Sequence, residues 1–427
     1  MSLLIVILLL VLFAMGMPIA LAIGIVSLLY AMLVASVPLV IIPQQTLSAV
    51  DSFILLAVPM FLLSGMLMND ADVARRLVRF SRSLIGWMRG GLAHVNIMTN
   101  LLISGISGSG VADAAATGSA LIPVMKKEGY SPAFAAAVTG CSSCAGPIIP
   151  PSIIMVIIGG LTTVSIARMF LGGFLPGILL GAVFGLLVMW IARVRKYPKT
   201  AGIDVREIGA SFIGALPSLG LPLIIIGGIL SGVFTPTESA AVAAAYVILL
   251  GLFYRQLTWH HFYRALVEVG VTTGTVMFVV GISGIFGWML ISEDIGTAIA
   301  DKLLSITTNP TYMLLLIVGV LLVLGCIMEV IAILILTVPV LMPVVTQLGI
   351  DPVHFGVVAT VALSTGLVTP PFGLTMFLMC RMANITIEQF AREVAPFIGG
   401  LIVVILLLVF FPQIILYLPD LLMGPGR

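Results

Sequence analysis

Charge is what this sequence has least of. Of its 427 residues, 8% are Asp, Glu, Lys or Arg, about a third of the share in a water-soluble globular chain. So few charges cannot cover a water-exposed surface, which excludes a soluble enzyme. Neither sign dominates: 19 Lys and Arg stand against 17 Asp and Glu, so there is no basic field for nucleic acid. The four cysteines, Cys141, Cys144, Cys326 and Cys380, sit in apolar runs and make no disulfide framework. No GxxxxGK[ST] run occurs, so the chain is not expected to bind or hydrolyse a nucleotide. His94, His260, His261 and His354 have no metal-ligand spacing, and neither zinc nor haem is expected. What is abundant is apolar sequence, 61% of the chain, with a mean hydropathy of +1.27. The chain reads as an all-α polytopic membrane protein.

A spanning helix needs about 20 mostly apolar residues. Candidate crossings fall near 3–14 (short), 18–34, 52–69, 133–162, 170–192, 214–233, 237–254, 270–291, 353–380 and 396–418. The first run has no charged leading segment and no clear cleavage site, so it is kept as structure rather than as a signal peptide. Residues 92–125 and 311–344 are short for two spans and a turn, and each is broken midway. Ser104-Gly105-Ile106-Ser107-Gly108-Ser109-Gly110 breaks the first, and Gly325-Cys326-Ile327-Met328-Glu329 the second. Both read as re-entrant hairpins, whose irregular backbone survives at membrane depth only inside protein or beside a cavity.

Lys and Arg placement sets orientation. Arg75, Arg76, Arg79, Arg82 and Arg89, then Arg193, Arg195, Lys196 and Lys199, mark the cytoplasmic side. Lys126 and Lys127 follow the first hairpin, which therefore enters from the cytoplasm. Glu293, Asp294, Asp301 and Asp351 bracket the second, which enters from outside. Both termini are expected to be periplasmic. Residues 70–79 alternate apolar and charged faces at helical spacing and read as an arm on the cytoplasmic surface. His260 and His261, beside Arg255 and Arg264, read as an interfacial helix.

Sliding the sequence on itself by 220 residues aligns its punctuation. Gly105 meets Gly325, Thr117 meets Thr337, Pro123 meets Pro343, Gly146 meets Gly366 and Pro150-Pro151 meets Pro370-Pro371. Near the start the match is looser, Gly16-Met17-Pro18 resembling Phe234-Thr235-Pro236 at a shift of 218. Each copy holds an odd number of crossings, so the second must be inverted. Inverted repeats with broken helices are the mark of secondary transporters. The expected organisation is scaffold helices in 1–69 and 214–291, a cytoplasmic arm in 70–91 and a linker in 193–213. A periplasmic arm occupies 292–310, and the two transport-domain halves occupy 92–192 and 311–427.

Proline lacks an N–H and clashes with the preceding turn. Gly146-Pro147-Ile148-Ile149-Pro150-Pro151-Ser152 and Gly366-Leu367-Val368-Thr369-Pro370-Pro371 therefore free carbonyl oxygens inside the membrane. Carbonyls with a hydroxyl suit a desolvated Na⁺, and half-helix N-termini suit an anion. Ser104, Ser107 and Ser109 put hydroxyls on the first tip. Intramembrane charges are functional candidates by default. Glu329 is placed to meet a substrate, a proton or an ion. Asp113 either serves the site or only pins the outgoing helix. Glu238 either serves it or caps a helix after Thr235-Pro236-Thr237. Arg168 and Arg381 can snorkel to the interface. Cys141-Ser142-Ser143-Cys144 fits small residues at a helix contact better than a metal site.

Ser104-Gly105-Ile106-Ser107-Gly108-Ser109-Gly110-Val111-Ala112-Asp113 resembles the large membrane subunit of the tripartite ATP-independent periplasmic (TRAP) transporters. So do Gly146-Pro147-Ile148-Ile149-Pro150-Pro151-Ser152, Phe234-Thr235-Pro236-Thr237-Glu238 and Val368-Thr369-Pro370-Pro371-Phe372-Gly373. The resemblance covers essentially the whole chain. It implies an elevator-type carrier of the ion-transporter superfamily in the bacterial inner membrane, coupled to two Na⁺. It also implies a small four-helix membrane subunit, a periplasmic substrate-binding protein, and an organic acid such as sialic acid or a C4-dicarboxylate. By the same resemblance, Ser104, Ser107, Gly146, Ile149 and Pro150 would hold one Na⁺. Gly325, Gly366, Thr369 and Phe372 would hold the other. Ser107, Ser109, Ser152 and Glu329 would face the substrate, although Glu329 stands where the family commonly has Asp. A stand-alone symporter of the same superfamily and a channel are the competing readings. For an intramembrane enzyme the sequence offers no nucleophile–base pair or metal triad.

Overall fold

The computed structural model describes residues 19–426 except 34–37, 39, 71–72, 198, 200–201, 203 and 294, together with residues 8, 11, 12, 15 and 17. The first expected crossing, 3–14, and the Gly16 and Pro18 of the looser repeat match lie largely outside these residues. Among the described residues the regular structure is helical, apart from one isolated bridge between Arg89 and Lys199.

The chain opens with α1 (Ile19–Leu33), α2 (Ile41–Val50), a 3-10 turn at Phe53–Leu56, and α3 (Ala57–Asp70). The arm α4 (Val73–Ile85) follows. The first hairpin is α5 (Gly91–Ser107) and α6 (Gly110–Lys127), and the first broken helix is α7 (Pro132–Ser142) and α8 (Ile153–Leu161). Then come α9 (Ile166–Val194), α10 (Val205–Leu230), α11 (Pro236–Phe253), α12 (Trp259–Ser292) and α13 (Ile295–Ile306). The second hairpin is α14 (Pro310–Gly325) and α15 (Val330–Gln347), and the second broken helix is α16 (Pro352–Gly366) and α17 (Leu374–Ala383). The chain closes with α18 (Ile387–Phe410) and α19 (Gln413–Met423). Six of these helices are long and apolar enough to cross a membrane, or eight candidate spans if each of two bent pairs counts as one, among the described residues.

Three boundaries depart from the hydropathy reading. The crossing placed at 52–69 is a helix from Ala57 preceded by α2, and the two meet at 54°. The α2 segment carries Gln44, Gln45 and Thr46, which masked it as a helix. The span placed at 270–291 is the distal part of a 34-residue helix beginning at Trp259. His260 and His261 therefore lie in its first turn, not in a separate interfacial helix. The crossing placed at 396–418 is two helices, broken at Phe411-Pro412 because Pro412 cannot continue α18.

The helices sort by packing. α1, α2 and α3 lie on α11 and α12, with Ile23, Val26 and Tyr30 against Phe286, Met289 and Leu290 in a separate core. Tyr30 donates a 2.8 Å hydrogen bond to Glu293. The hairpins, the broken helices, α9 and α18 share the main core. The arm α4 packs on both groups. Arg79 reaches Glu207 of α10 through two bonds of 2.7 and 3.0 Å, and Arg82 reaches Glu128 beyond α6 at 3.3 Å. The last helix is clasped to α9, where Arg168 bonds Asp420 and the Gly424 carbonyl at 2.5 Å each. Arg168 is thus an ion-pair partner, with its side chain only 12% exposed.

Candidate functional site

At the first tip, Gly108 takes a left-handed backbone (φ 66°), which glycine adopts without strain, and Ser109 caps α6. Turning the chain there buries Asp113 one turn into α6. Ser107 donates to one oxygen of the Asp113 carboxylate, and Ser104 donates to the other at 3.0 Å. The Ser104 hydroxyl also lies 2.7 Å from the Asn100 carbonyl. Behind them runs a buried polar network. The Asn100 side-chain amide donates to Ser142 at 2.6 Å and to Asn96 at 3.0 Å, and its oxygen accepts from Thr117 at 3.0 Å. Asn96 donates to Thr139 at 2.6 Å. These bonds tie the hairpin to α7.

The first break comes up against this tip. A Cβ on Gly146 would lie 2.6 Å from an Asp113 carboxylate oxygen and 2.8 Å from the Gly110 nitrogen, so the approach admits only glycine. Ile149 is buried against Gly177 of α9. The peptide bond after Pro150 is cis, as is that between Pro370 and Pro371. Ser152 is fully buried, donating to the Pro147 carbonyl and accepting from Met155 at 3.2 Å as the cap of α8. The second half repeats the approach. A Cβ on Gly366 would lie 2.4 Å from the Gly325 carbonyl oxygen. Thr369 donates to the Thr365 carbonyl at 2.7 Å, and the Phe372 side chain is exposed.

Between the two tips lies a cavity of about 180 Å³. It is lined by Ser109, Gly110, Val111, Pro147 and Ile154 from the first half, and by Glu329, Val330, Ile331, Leu367 and Leu374 from the second. Each residue of the first set stands 220 positions before its counterpart in the second. Glu329 caps α15, accepting from the Ala332 N–H at 3.2 Å, and remains open to the cavity. Val58, Leu62, Thr272 and Val276, from α3 and α12, close the opposite wall.

The structure therefore brings Ser104, Ser107, Asp113 and Gly146 together, and Gly325 with Gly366, while Ser109 and Glu329 share the cavity. Glu238 is elsewhere. It completes a capping box on α11, accepting from the Thr235 N–H at 2.8 Å, which is the structural alternative for this residue. The Cys141–Cys144 run lies at a helix contact, where the Cys144 thiol donates to the Ser364 carbonyl at 3.2 Å. Thr272, Asn96 and Asn100 were not anticipated. Thr272 sits in an unbroken helix with nothing to single it out. Asn96 and Asn100 extend the anticipated Ser104 and Ser107 into a polar stripe at helical spacing in an apolar stretch, and that stripe was a readable signal.

Six to eight helices or bent pairs long and apolar enough to cross a membrane among the described residues, with two broken helices meeting two hairpin tips around one cavity, define a class, the polytopic helical membrane proteins. The family described as "Tripartite ATP-independent periplasmic transporter, DctM component" matches residues 6–414. The chain is 41% identical over 414 residues to the sialic acid TRAP transporter large permease protein SiaM of Vibrio cholerae, covering 96% of this chain and 97% of that one. It is 38% identical over 371 residues to the C4-dicarboxylate TRAP transporter large permease protein DctM of Pseudomonas aeruginosa, covering 87% of each. In fold it is similar to the Alcanivorax borkumensis YdaH transporter, with a TM-score of 0.61, 16% identity and 84% of each chain covered. This chain belongs to the TRAP transporter large permease family.

Proposed function

We propose that this chain is the large subunit of a Na⁺-coupled TRAP importer of an organic acid, working by an elevator movement in the bacterial inner membrane. A periplasmic binding protein delivers the acid, and a small four-helix subunit completes the membrane part. The observation that carries this reading is the symmetry of the cavity. Five pairs of its lining residues are related by the same 220-residue step, as expected where two inverted repeats meet on a pseudo-twofold axis. The contact of Cys144 with Ser364, themselves 220 apart, supports the same axis. Both termini then lie on the periplasmic side.

Each tip with its break makes one ion site. In the first, the Asp113 carboxylate, the Ser104 and Ser107 hydroxyls and carbonyls around Gly146, Ile149 and Pro150 supply hard oxygen ligands. In the second, Gly325, Gly366 and Thr369 supply backbone and hydroxyl oxygens beside Phe372. The acid occupies the cavity between them, in contact with Ser109 and Glu329. Filling both ion sites holds the tips against the breaks and shapes the cavity. The hairpins, the broken helices and the bound acid then move as one body past α3 and α12.

A ligand that binds only the native state raises its stability by mass action. Thermal stability of the purified chain is therefore expected to rise in Na⁺ relative to choline, and to rise less in Ser104→Ala and in Thr369→Ala. A rise unaffected by both changes would remove the ions from the breaks. A response to pH in place of Na⁺ would transfer the coupling to protons at Glu329.

A further inference from the structure

Four helices begin at the cavity: its lining includes Gly110, Ile153, Val330 and Leu374, the first residues of α6, α8, α15 and α17. Each helix N-terminus presents roughly half a positive charge. The caps differ, however. Ser109 and Ser152 cap α6 and α8 with neutral hydroxyls, whereas Glu329 caps α15 with a carboxylate open to the cavity. Ser109 and Glu329 occupy equivalent places in the two halves, so the cavity lining carries its one carboxylate on the second-hairpin side. Its far wall is apolar except for the Thr272 hydroxyl.

We infer that the cavity selects monocarboxylates bearing hydroxyl groups over dicarboxylates. The inference rests on the reading that this cavity is the substrate site. The single carboxylate lies at the N-termini of α6 and α8, and hydroxyl donors at the other end of the molecule bond to Glu329 and Thr272. A second carboxylate would face the Glu329 carboxylate at close range, where like charges repel. A plain alkyl acid would offer no hydroxyl donor to Glu329 or Thr272 and would forgo those bonds.

The test compares glucuronate, succinate and butyrate as thermal stabilisers of the purified chain at fixed Na⁺. Glucuronate is expected to bind at least about tenfold more tightly than either of the others. Glu329→Gln removes that carboxylate and is expected to narrow the gap to succinate by roughly tenfold. Glu329→Asp keeps the charge and is expected to keep the parental order. Succinate binding as tightly as glucuronate to the parent would overturn the inference, as would a gap unchanged in Glu329→Gln. If Ser109→Ala still weakened all ligands in that case, the cavity would stand as the site without this selectivity. Affinities indifferent to both Ser109→Ala and Glu329→Gln would remove the site from the cavity altogether.

Discussion

The two hairpins have nearly equal arms, 17 and 18 residues in the first against 16 and 18 in the second, yet their interiors differ in kind. Asn96, Asn100, Ser104, Ser107, Asp113, Thr139 and Ser142 of the first half are buried and hydrogen-bonded to one another or to nearby carbonyls. The residues 220 positions later are Leu316, Val320, Leu324, Ile327, Ile333, Ala359 and Ala362. Thr117, by contrast, keeps its polarity as Thr337. Inside a membrane, apolar packing between helices gains little over contact with lipid, so hydrogen bonds and close fit hold elements together. The first hairpin is thus bonded to its broken helix, while the second is seated by shape, with Gly325 against Gly366. Under the function proposed above, the duplicated backbone would serve two chemistries: a cation site with its own negative charge, and one built from neutral oxygens.

The sharpest way to break this comparison is Asp113→Asn. The amide keeps the side chain's shape and removes the charge, and losing one partner of a buried ionic contact costs about 3–5 kcal/mol. We expect a fall in Na⁺ affinity of at least about a hundredfold, read from the Na⁺ dependence of thermal stability. Unchanged Na⁺ dependence would leave the two halves electrostatically alike.

A smaller effect is expected from Asn100→Leu. It removes the Asn100 side-chain bonds to Asn96, Thr117 and Ser142, while Thr117 and Ser142 keep the Asp113 and Val138 carbonyls, and each lost bond costs about 0.5–1.5 kcal/mol. The mirror change, Val320→Leu, alters an exposed apolar side chain and is expected to change stability by no more than about 0.5 kcal/mol. Melting both variants without Na⁺ measures the difference, and equal losses would erase the contrast between a bonded and a seated hairpin. The smallest effect concerns the surface. Arg79→Ala removes an exposed ion pair with Glu207, worth at most about 1 kcal/mol. A melting temperature close to the parental value is expected, and a large drop would make the arm α4 a principal structural tie rather than a peripheral one.

Hairpins and breaks were legible because glycine and proline report backbone geometry even in a chain of Leu and Ile. Gly108, Gly146, Pro150 and Pro370 mark the turns and breaks seen in the structure. Charges were less informative, since one residue type can cap a helix or face a cavity. Glu238 and Glu329 are both helix caps, and the depth of the second is a property of the tertiary fold. The far wall of the cavity was illegible for a related reason. Thr272 lies in a long uninterrupted helix, and packing across the molecule alone brings it opposite the tips. The break at Phe411-Pro412 was passed over because apolar residues on both sides satisfied the length of a span.

The cysteines have a practical consequence. Cys141, Cys144 and Cys380 are buried, while Cys326, partly exposed, sits on the second hairpin three residues before Glu329. A thiol-reactive dye added to the unaltered protein would therefore attach chiefly beside the cavity mouth. The parent sequence already carries a fluorescent labelling handle at its second tip, and opening or closing there can be followed optically without first engineering a cysteine-free background.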